Sequence, residues 1–359
     1  MTTATPSIAE AYGRVNLIGE HTDYNGGWVL PTAIPQKTTV KIALRPDKMV
    51  HGMTSAGFAK KVPAQVYVLG DERKTDTWID YIQGGTYLLR QMGCPLSGFD
   101  LEIHSTVPDG SGLSSSAALE ISFLKALRSA FSLALTDNEI ALLGQRIENE
   151  FVGARVGIMD QMACTYASFG EALFLDTKTL EMERVKLPME KMDLVVINSG
   201  LTHQNSGGDY NQRRSECESA CRELGVKELR ELSIVDLPLL DSLSDTLRRR
   251  ARHVITENAR VHDAVTAIKS ENIAKLGNLF YESHASMRDD YEVSISEIDL
   301  LVELCRAQAS CYGARLTGGG FGGSIVAVAR SGEGRSMALK VIKTYAEQTN
   351  HNATMLVPS

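Results

Sequence analysis

Three segments of the chain concentrate residues that could do chemistry. The first, residues 13–27, reads GRVNLIGEHTDYNGG and places a dense set of polar side chains after a short apolar core. The carboxylates of Glu20 and Asp23 could accept paired hydrogen bonds from the vicinal hydroxyls of a sugar, and Arg14 could hold a developing negative charge. A solvated turn stays an alternative, because Asp, Asn and Gly are ordinary turn formers.

The second segment, residues 108–118, reads PDGSGLSSSAA and runs directly into an amphipathic helical pattern. Glycines let the backbone approach a phosphate, serine hydroxyls add donors, and a helix start offers unpaired N–H groups with partial positive charge. No Gly-Lys-Ser/Thr follows, so the segment is not a Walker A loop, and Mg²⁺ and other side chains must neutralise the charge. The pattern predicts a phosphate-binding loop; a flexible loop ending in a serine N-cap is the alternative.

The third segment, residues 313–323, reads GARLTGGGFGG. Gly318, Gly320 and Gly323 satisfy the spacing G-x-G-x-x-G, but a dinucleotide fingerprint follows a strand, opens a helix and needs an acidic residue about 20 positions later. Here the loop precedes a strand-like run, and Lys340 and Lys343 stand at that distance. The pattern therefore predicts a loop that supports an active site.

Two further carboxylates lie between the second and third segments. Asp160 follows a glycine in the sequence GIMDQ and could project into a cleft, although an aspartate near a helix start is more often a cap. Glu148 lies on a helix that a capping box of Thr136 and Glu139 should begin, and a helical glutamate is usually solvated. Both residues stay open to either interpretation on residue chemistry alone.

Short β-branched runs and amphipathic helical patterns alternate along the chain, which predicts an α+β protein. Strands are predicted at 38–44, 101–104, 194–198 and 324–329. Helices are predicted after the serine-rich segment at 123–131, from Thr136, and at 252–269, 273–291 and 296–309. A chain of 359 residues exceeds one usual core, so we predict two domains, 1–190 and 191–359, with a ligand cleft between them.

Composition narrows the classes of partner. A formal charge of −7 argues against nucleic acid, because such binders need a basic patch, and the run of arginines at 248–252 is predicted to be a solvated helix face. No apolar run is long enough to span a bilayer. Six scattered cysteines without a signal peptide predict structural thiols in a cytoplasmic protein.

Together the segments resemble the GHMP kinases, the family of galactokinase, homoserine kinase, mevalonate kinase and phosphomevalonate kinase. GRVNLIGEHTDY is similar to the galactokinase signature, PDGSGLSSSAA to the shared ATP-binding motif and LTGGGFGGS to the shared third motif. The resemblance covers nearly the whole chain, although Tyr12 stands where most relatives carry proline. It implies an N-terminal mixed α/β domain, a C-terminal ferredoxin-like α+β domain, and transfer of phosphate from MgATP to the anomeric hydroxyl of galactose.

The resemblance also implies roles for individual residues. Asp160 matches the aspartate that faces the anomeric hydroxyl, and Arg14 matches the arginine that stabilises the transferring phosphoryl group. Sugar contacts are implied for Glu20, His21, Asp23, Gly157 and Tyr210. Contacts with ATP are implied for Gly110, Ser111, Gly112, Leu113, Ser114, Ser115, Ser116 and Trp78, and coordination of Mg²⁺ for Ser116 and Glu148.

Two other functions stay open. One is a kinase for another sugar, such as N-acetylgalactosamine or arabinose, with Asp23 and Tyr210 lining a differently shaped pocket. The other is a non-enzymatic galactose sensor like a yeast transcriptional regulator of the family, which has a shortened serine-alanine segment; that segment is intact here. We expect a monomer or weak homodimer that binds galactose and ATP and has no nucleic-acid or membrane partner.

Overall fold

The computed structural model describes residues 5–55, 64–201 and 206–357. Its contacts group the chain into two compact units whose segments interleave along the sequence. The first unit comprises Met1–Gly13, Ile34–Asp109 and Ser114–Tyr166, and the second comprises Arg14–Ala33, Gly110–Leu113 and Ala167–Ser359. The predicted domain boundary after residue 190 stays a prediction.

The described residues form strands and α-helices in alternation. The strands are β1 (Ser7–Asn16), β2 (Trp28–Val29), β3 (Pro31–Leu44), β4 (Met49–Ser55), β5 (Gln65–Val68), β6 (Phe99–Ser105), β7 (Glu171–Asp176), β8 (Met182–Lys186), β9 (Met192–Asn198), β10 (Cys311–Thr317), β11 (Ser324–Arg330) and β12 (Thr354–Val357). The helices are α1 (Ile79–Gln91), α2 (Ser115–Phe131), α3 (Asp137–Arg146), α4 (Met159–Tyr166), α5 (Ser206–Leu224), α6 (Asp245–Lys269), α7 (Ile273–Asp289), α8 (Ser296–Arg306) and α9 (Gly334–Thr349). Short 3-10 segments lie at Asp23–Asn25, Leu229–Glu231 and Ile234–Ser242, and a π-helical turn at Ile147–Val152 extends α3.

The sheet of the first unit supports the serine-rich segment. Strand β6 pairs antiparallel with β3 and parallel with β4, and β5 adds to β4. Burial alternates along β6, so that Phe99, Leu101 and Ile103 face inward. Phe99 meets Phe123 of α2 with ring centroids 6.1 Å apart. This packing fixes α2, and with it the end of the loop that leads into the helix.

The capping box predicted at Thr136 is confirmed. The Thr136 hydroxyl accepts from the backbone N–H of Glu139, and the Glu139 carboxylate accepts from the Thr136 N–H, which satisfies two N–H groups at the start of α3. Helix α3 then continues into the π-helical turn. Glu148 lies in that turn and not on a regular helical face.

In the second unit, four antiparallel strands lie in the order β10-β11-β9-β12. Strand β11 is buried along almost its whole length, because helices and strands cover it. Helix α7 approaches β10 through glycines: a Cβ at Gly277 would lie 2.1 Å from the Tyr312 carbonyl oxygen. Cys217 and Cys221 pack in this core, and all six cysteines are free thiols, as predicted.

The predicted strands all fall inside observed ones, and the predicted helices are observed with different ends: α6 begins at Asp245 and not at 252, α7 ends at Asp289 and α8 at Arg306. One prediction is wrong. Arg250 in the basic run is buried, because its guanidinium pairs with Glu216 and Glu292 and donates to the Asp290 carbonyl. No helix in the described part of the chain is long and apolar enough to cross a membrane.

Candidate active site

In the second unit, parts of all three sequence segments come together. The backbone N–H of Arg14 donates to the Leu113 carbonyl at 3.2 Å, and the buried Arg14 guanidinium donates from Nη1 to the Gly112 carbonyl at 2.5 Å. The Asn16 N–H donates to Thr317 Oγ1 at 3.2 Å. Residues nearly 300 positions apart are therefore held in one cluster by hydrogen bonds.

The third segment is the loop of a β-hairpin. Strands β10 and β11 pair from Thr317↔Ser324, so the glycines between them connect two strands and open no helix. A Cβ at Gly318 would lie 2.7 Å from the Gly112 carbonyl oxygen, and Gly318 also has a positive φ of 87°. Only glycine fits such a close approach in that conformation. This confirms that the segment is not a dinucleotide fingerprint, and shows that it packs against the backbone of the second segment at Gly112.

Glu20 is a buried carboxylate with several protein partners. Its Oε1 accepts from Thr317 Oγ1 at 3.2 Å and from the Gly318 N–H at 3.1 Å, and its carboxylate pairs with Arg315. Burial raises the pKa of Glu20, and the positive charge of Arg315 opposes that rise. Glu20 thus joins the first segment to the glycine loop.

Arg315, which no sequence motif singles out, is the largest fully buried side chain in the described part of the chain. Its guanidinium donates to the carbonyls of Asn16 (3.3 Å) and Leu17 (2.9 Å) and to Ser283 Oγ (3.1 Å). The only sequence signal is an arginine inside an otherwise apolar strand, which demands a buried partner. Nothing in the sequence identifies that partner.

Glu257 of α6 is the second carboxylate beside Arg315, at 3.5 Å. It accepts from the Gly19 N–H at 3.0 Å, from Ser283 Oγ at 2.6 Å and from Arg260 at 2.7 Å. Burial pushes the pKa of Glu257 upward, but Arg260, Arg315 and these donors outweigh it and hold the pKa at about 2. Glu257 is therefore ionised and fixes the glycine that precedes Glu20.

An aromatic group surrounds His21. The ring centroid of His21 lies 5.8 Å from that of Tyr24, 5.4 Å from Tyr210 and 4.7 Å from Tyr291. His21 Nδ1 hydrogen-bonds to the Tyr24 hydroxyl at 2.9 Å, and the Tyr24 and Tyr291 hydroxyls bond at 2.7 Å. Burial, with the nearby His253 and Arg213, lowers the pKa of His21 well below its usual value, so the ring is neutral. Asp23 is half-buried at the start of a 3-10 turn and accepts from the Tyr24 N–H.

In the first unit, Ser114 and Asp160 are hydrogen-bonded. Ser114 Oγ donates to Asp160 Oδ2 at 2.7 Å, and Asp160 lies in the first turn of α4. Ser114 occupies the N-cap position of α2 with a left-handed φ of 61°, but its side chain makes no capping bond to the described helix. A serine therefore does stand at the N-cap, but its hydroxyl bonds to a carboxylate of α4 and does not cap α2.

Ser116 and Glu148 form a second polar pair in the first unit. Ser116 Oγ donates to Glu148 Oε1 at 2.9 Å, and Gln161 Nε2 lies 3.4 Å from the same oxygen. Burial raises the pKa of Glu148 to about 7, and the negative charge of Asp160 adds to that rise. π-Helical turns such as the one that carries Glu148 are frequent at functional sites.

The remaining predicted positions are placed as follows. Ser115 Oγ donates to Asp109 at 3.2 Å, and Gly110 is exposed with a positive φ. Gly157 is buried just before α4. Trp78 is half-buried at the start of α1 and packs against Gly52 of β4, where a Cβ would meet its ring at 2.8 Å.

Each of the three segments contains one non-glycine residue in the left-handed region: His21 (φ 63°), Ser114 (φ 61°) and Phe321 (φ 60°). Such conformations cost free energy and persist where surrounding structure enforces them, which is common at active sites. The first two are predicted site residues. The third lies in the glycine loop between β10 and β11.

Three family models match the chain. The model described as "GHMP kinases N terminal domain" matches residues 80–168, and "GHMP kinases C terminal" matches residues 264–347. The model described as "Galactokinase galactose-binding signature" matches residues 2–44, which include Arg14, Glu20, His21 and Asp23.

Individual proteins match over almost the full length. A galactokinase of Roseiflexus sp. (strain RS-1) is 40% identical over 356 residues, which cover 98% of this chain and 90% of that protein. The crystal structure of Lactococcus lactis galactokinase complexed with galactose has a TM-score of 0.94 at 35% identity and covers 98% of this chain and 93% of its own. Methanococcus jannaschii mevalonate kinase shares the fold, with a TM-score of 0.69, 18% identity and 98% coverage of both chains.

The low pKa of Glu257 predicts a specific dependence of stability on acid. Because the folded protein holds this pKa at about 2, against an ordinary value of 4.5, ionised Glu257 stabilises the fold above pH 4.5. That contribution, about 3 kcal/mol for such a shift, is lost as the pH falls from 4.5 towards 2. In Glu257→Gln the free energy of unfolding, measured with urea, should therefore fall less over this pH range than in the unsubstituted protein.

The exposed Glu190 supplies the control. Glu190→Gln should follow the unsubstituted protein at every pH. If Glu257→Gln also runs parallel to the unsubstituted protein from pH 5 downward, Glu257 is not held ionised by Arg260 and Arg315.

Proposed function

This chain belongs to the galactokinases of the GHMP kinase family. We propose that its first segment (residues 13–27, the signature segment), its second segment (residues 108–118, the phosphate loop) and Asp160 perform the reaction in the roles given below. The protein is an ATP-dependent sugar kinase. It transfers the γ-phosphoryl group of ATP to the anomeric hydroxyl of D-galactose and yields galactose 1-phosphate and ADP. The observation that carries this function is the galactose-binding signature at residues 2–44, within a match of 40% identity over 98% of the chain.

For the sugar, we propose contacts with Glu20, His21, Asp23, Gly157 and Tyr210. A carboxylate that is already fixed by protein groups, as Glu20 is by Arg315 and Thr317, can accept a hydroxyl hydrogen bond without losing further freedom. The rings of His21 and Tyr210 offer apolar faces, which suit the C–H face of a hexose. Asp23 adds a half-buried acceptor.

For ATP, we propose that Gly110 to Ser116 hold the phosphates and that Trp78 lies beside the adenine. Gly110 and Gly112 have positive φ, which suits a tight loop. Helix α2 begins at Ser115, and the side chain of its N-cap residue, Ser114, makes no capping hydrogen bond to the helix. A helix start of this kind attracts anions through its N–H groups and partial positive charge. The half-buried Trp78 ring presents a flat apolar surface.

Ser116 and Glu148 fit a magnesium ion. Their hydroxyl and carboxylate oxygens, 2.9 Å apart, are the ligand types that Mg²⁺ prefers, and a buried carboxylate with a raised pKa gains from a cation. The described residues contain no cluster of three or more His, Cys, Asp or Glu for a metal, so phosphates and water would complete the coordination. When bound, Mg²⁺ supplies neutralisation of phosphate charge.

Phosphoryl transfer depends on in-line positioning and charge neutralisation more than on covalent help. We propose that Arg14, whose guanidinium is fixed by the Gly112 carbonyl, stabilises the charge of the transferring group. Asp160 is a weak base for a sugar hydroxyl, so it orients that hydroxyl and accepts its proton late in the transfer. The hydrogen bond from Ser114 sets which way the Asp160 carboxylate faces.

The place and state of assembly in the cell stay predictions. Six free thiols support a reducing compartment, which agrees with the cytoplasm. A monomer or weak homodimer is the expected state.

The function is tested by measuring ADP release with MgATP across a panel of hexoses, N-acetylgalactosamine and arabinose, followed by NMR assignment of the phosphorylated carbon. We expect release with galactose and phosphate on C1. Faster release with arabinose or N-acetylgalactosamine would instead support a kinase for another sugar. Galactose binding with no ADP release from any sugar would support the sensor.

The role of Asp160 is tested with Asp160→Asn, which keeps the shape and the bond from Ser114 but cannot accept the proton. We expect kcat at saturating galactose to fall by about 100-fold or more, with a small change in galactose affinity by calorimetry. The exposed Asp71 in the same unit provides the control, and Asp71→Asn should keep full activity. Near-full turnover by Asp160→Asn would remove Asp160 from the chemistry.

A further inference from the structure

Gln161 follows Asp160 directly in α4 and is fully buried between two carboxylates. Its Nε2 donates to Glu120 Oε2 at 3.1 Å and lies 3.4 Å from Glu148 Oε1. Glu120 comes from α2, four residues after Ser116, and Glu148 comes from the π-helical turn. One side-chain amide therefore connects three elements that carry proposed site residues.

One oxygen of Glu120 and the amide oxygen of Gln161 lack a hydrogen-bond donor. Glu120 Oε1 and Gln161 Oε1 are both buried without a hydrogen-bond partner among the described residues, which is rare for buried polar atoms. A carboxylate and an amide oxygen are both acceptors, so neither can satisfy the other. A proton on Glu120 would supply the missing donor, because an O–H on Oε1 can donate to the Gln161 amide oxygen while Gln161 Nε2 donates to Oε2.

The surroundings of Glu120 favour its neutral form. The side chain is wholly buried, and the carboxylates of Glu148 and Asp160 face it from the π-helical turn and from α4. Tyr81 of α1 also lies near this group, and the charges of Glu148 and Glu120 help to raise its pKa. Burial and these negative neighbours raise the pKa of Glu120 well above its usual value, against a smaller lowering by the Gln161 hydrogen bond.

Helix α3 leaves room for the pair. A Cβ at Gly144 would lie 2.9 Å from Gln161 Cγ and 3.3 Å from Glu120 Oε2. The absence of a side chain at this position lets the acid and the amide meet in the interior of the first unit.

We propose that Glu120 and Gln161 form a neutral acid–amide pair that positions Glu148 and Asp160. The inference rests on the proposed function, because it concerns how a magnesium ligand and the hydroxyl-orienting carboxylate are held. Gln161 uses its second N–H to steady Glu148, and its place in α4 fixes the residue before it, Asp160. Glu120 and Gln161 are positioning residues: they touch neither sugar nor ATP.

The pair is tested with Glu120→Gln, Glu120→Ala and Gln161→Ala. An amide can replace the acid, since two amides form the same two-bond pair; Glu120→Gln should keep kcat/KM for MgATP within about twofold of the unsubstituted protein. The alanine variants should lose about tenfold or more in kcat/KM and need more Mg²⁺ for half-maximal rate, as when outer partners of metal ligands are removed. Glu190→Gln controls for loss of one carboxylate at the surface, and assays are run below the unfolding temperature of each variant.

Infrared spectroscopy in D2O at neutral pH gives a readout independent of turnover. The difference between the unsubstituted protein and Glu120→Gln should contain the carbonyl band of a protonated carboxylic acid, and Glu148→Gln, measured in the same way, identifies any band that belongs to Glu148. Absence of that band, or a loss in Glu120→Gln as large as in Glu120→Ala, would overturn the pair. If the unsubstituted protein releases no ADP with any sugar, the proposed function fails, while the infrared band still decides the pair.

Discussion

The second unit depends on one buried ion pair, between Arg315 and Glu20. Removing two charges from water is costly, and the cost is recovered only when every donor and acceptor of the pair finds a partner. Here the guanidinium also donates to two carbonyls of the signature segment and to Ser283, and Glu20 also accepts from Thr317 and Gly318. These partners come from the signature segment, α7 and the β10–β11 hairpin. These contacts hold the Glu20 side chain in one position, as its proposed hydrogen bond with a sugar hydroxyl requires.

The first unit meets a different constraint, the accumulation of negative charge. Asp160, Glu148 and Glu120 lie close enough for their charges to influence one another. Each of the three carboxyl groups accepts a hydrogen bond: Asp160 from Ser114, Glu148 from Ser116 and Glu120 from Gln161. The roles proposed for Glu148 and Asp160, binding a cation and orienting a hydroxyl, need oxygens that are fixed before the substrates arrive, and a neutral Glu120 limits the negative charge of the cluster. Ser114, which supplies one of these donors, has a left-handed backbone conformation that costs free energy.

The sequence predicts the local structure well because local rules decide it. The capping box at Thr136, the strand periods and the strand after the glycine loop follow from hydrogen bonding and side-chain alternation within a few residues. The resemblance of three motifs to one family supplies the expected roles. The interleaving of the two units does not follow from either source: 110–113 group with the second unit while 114–166 belong to the first, and only tertiary contacts decide this.

Partner choice over long distances is also beyond the sequence. Arg315 could pair with any of many acidic residues, and nothing near Glu257 distinguishes it from other helical glutamates. Ser114 carries a residue type that usually caps a helix, yet its conformation turns the hydroxyl to Asp160. Arg250 belongs to a basic run that suggests a solvated face, yet it is buried in ion pairs with Glu216 and Glu292. In each case a charge or hydroxyl finds a partner that is distant along the chain.

Whether the Arg315–Glu20 pair fixes the first segment can be measured by a double-mutant cycle of Arg315→Met and Glu20→Gln, read as the free energy of unfolding in urea. Arg315→Met leaves Glu20 without its cation, and Glu20→Gln leaves Arg315 with Glu257 as its remaining carboxylate, so each single change should cost about 3 to 5 kcal/mol at most. If the two side chains depend on each other, the double variant should lose less than the sum of the two single losses, by about 2 kcal/mol or more. Losses that add to within about 0.5 kcal/mol would contradict it.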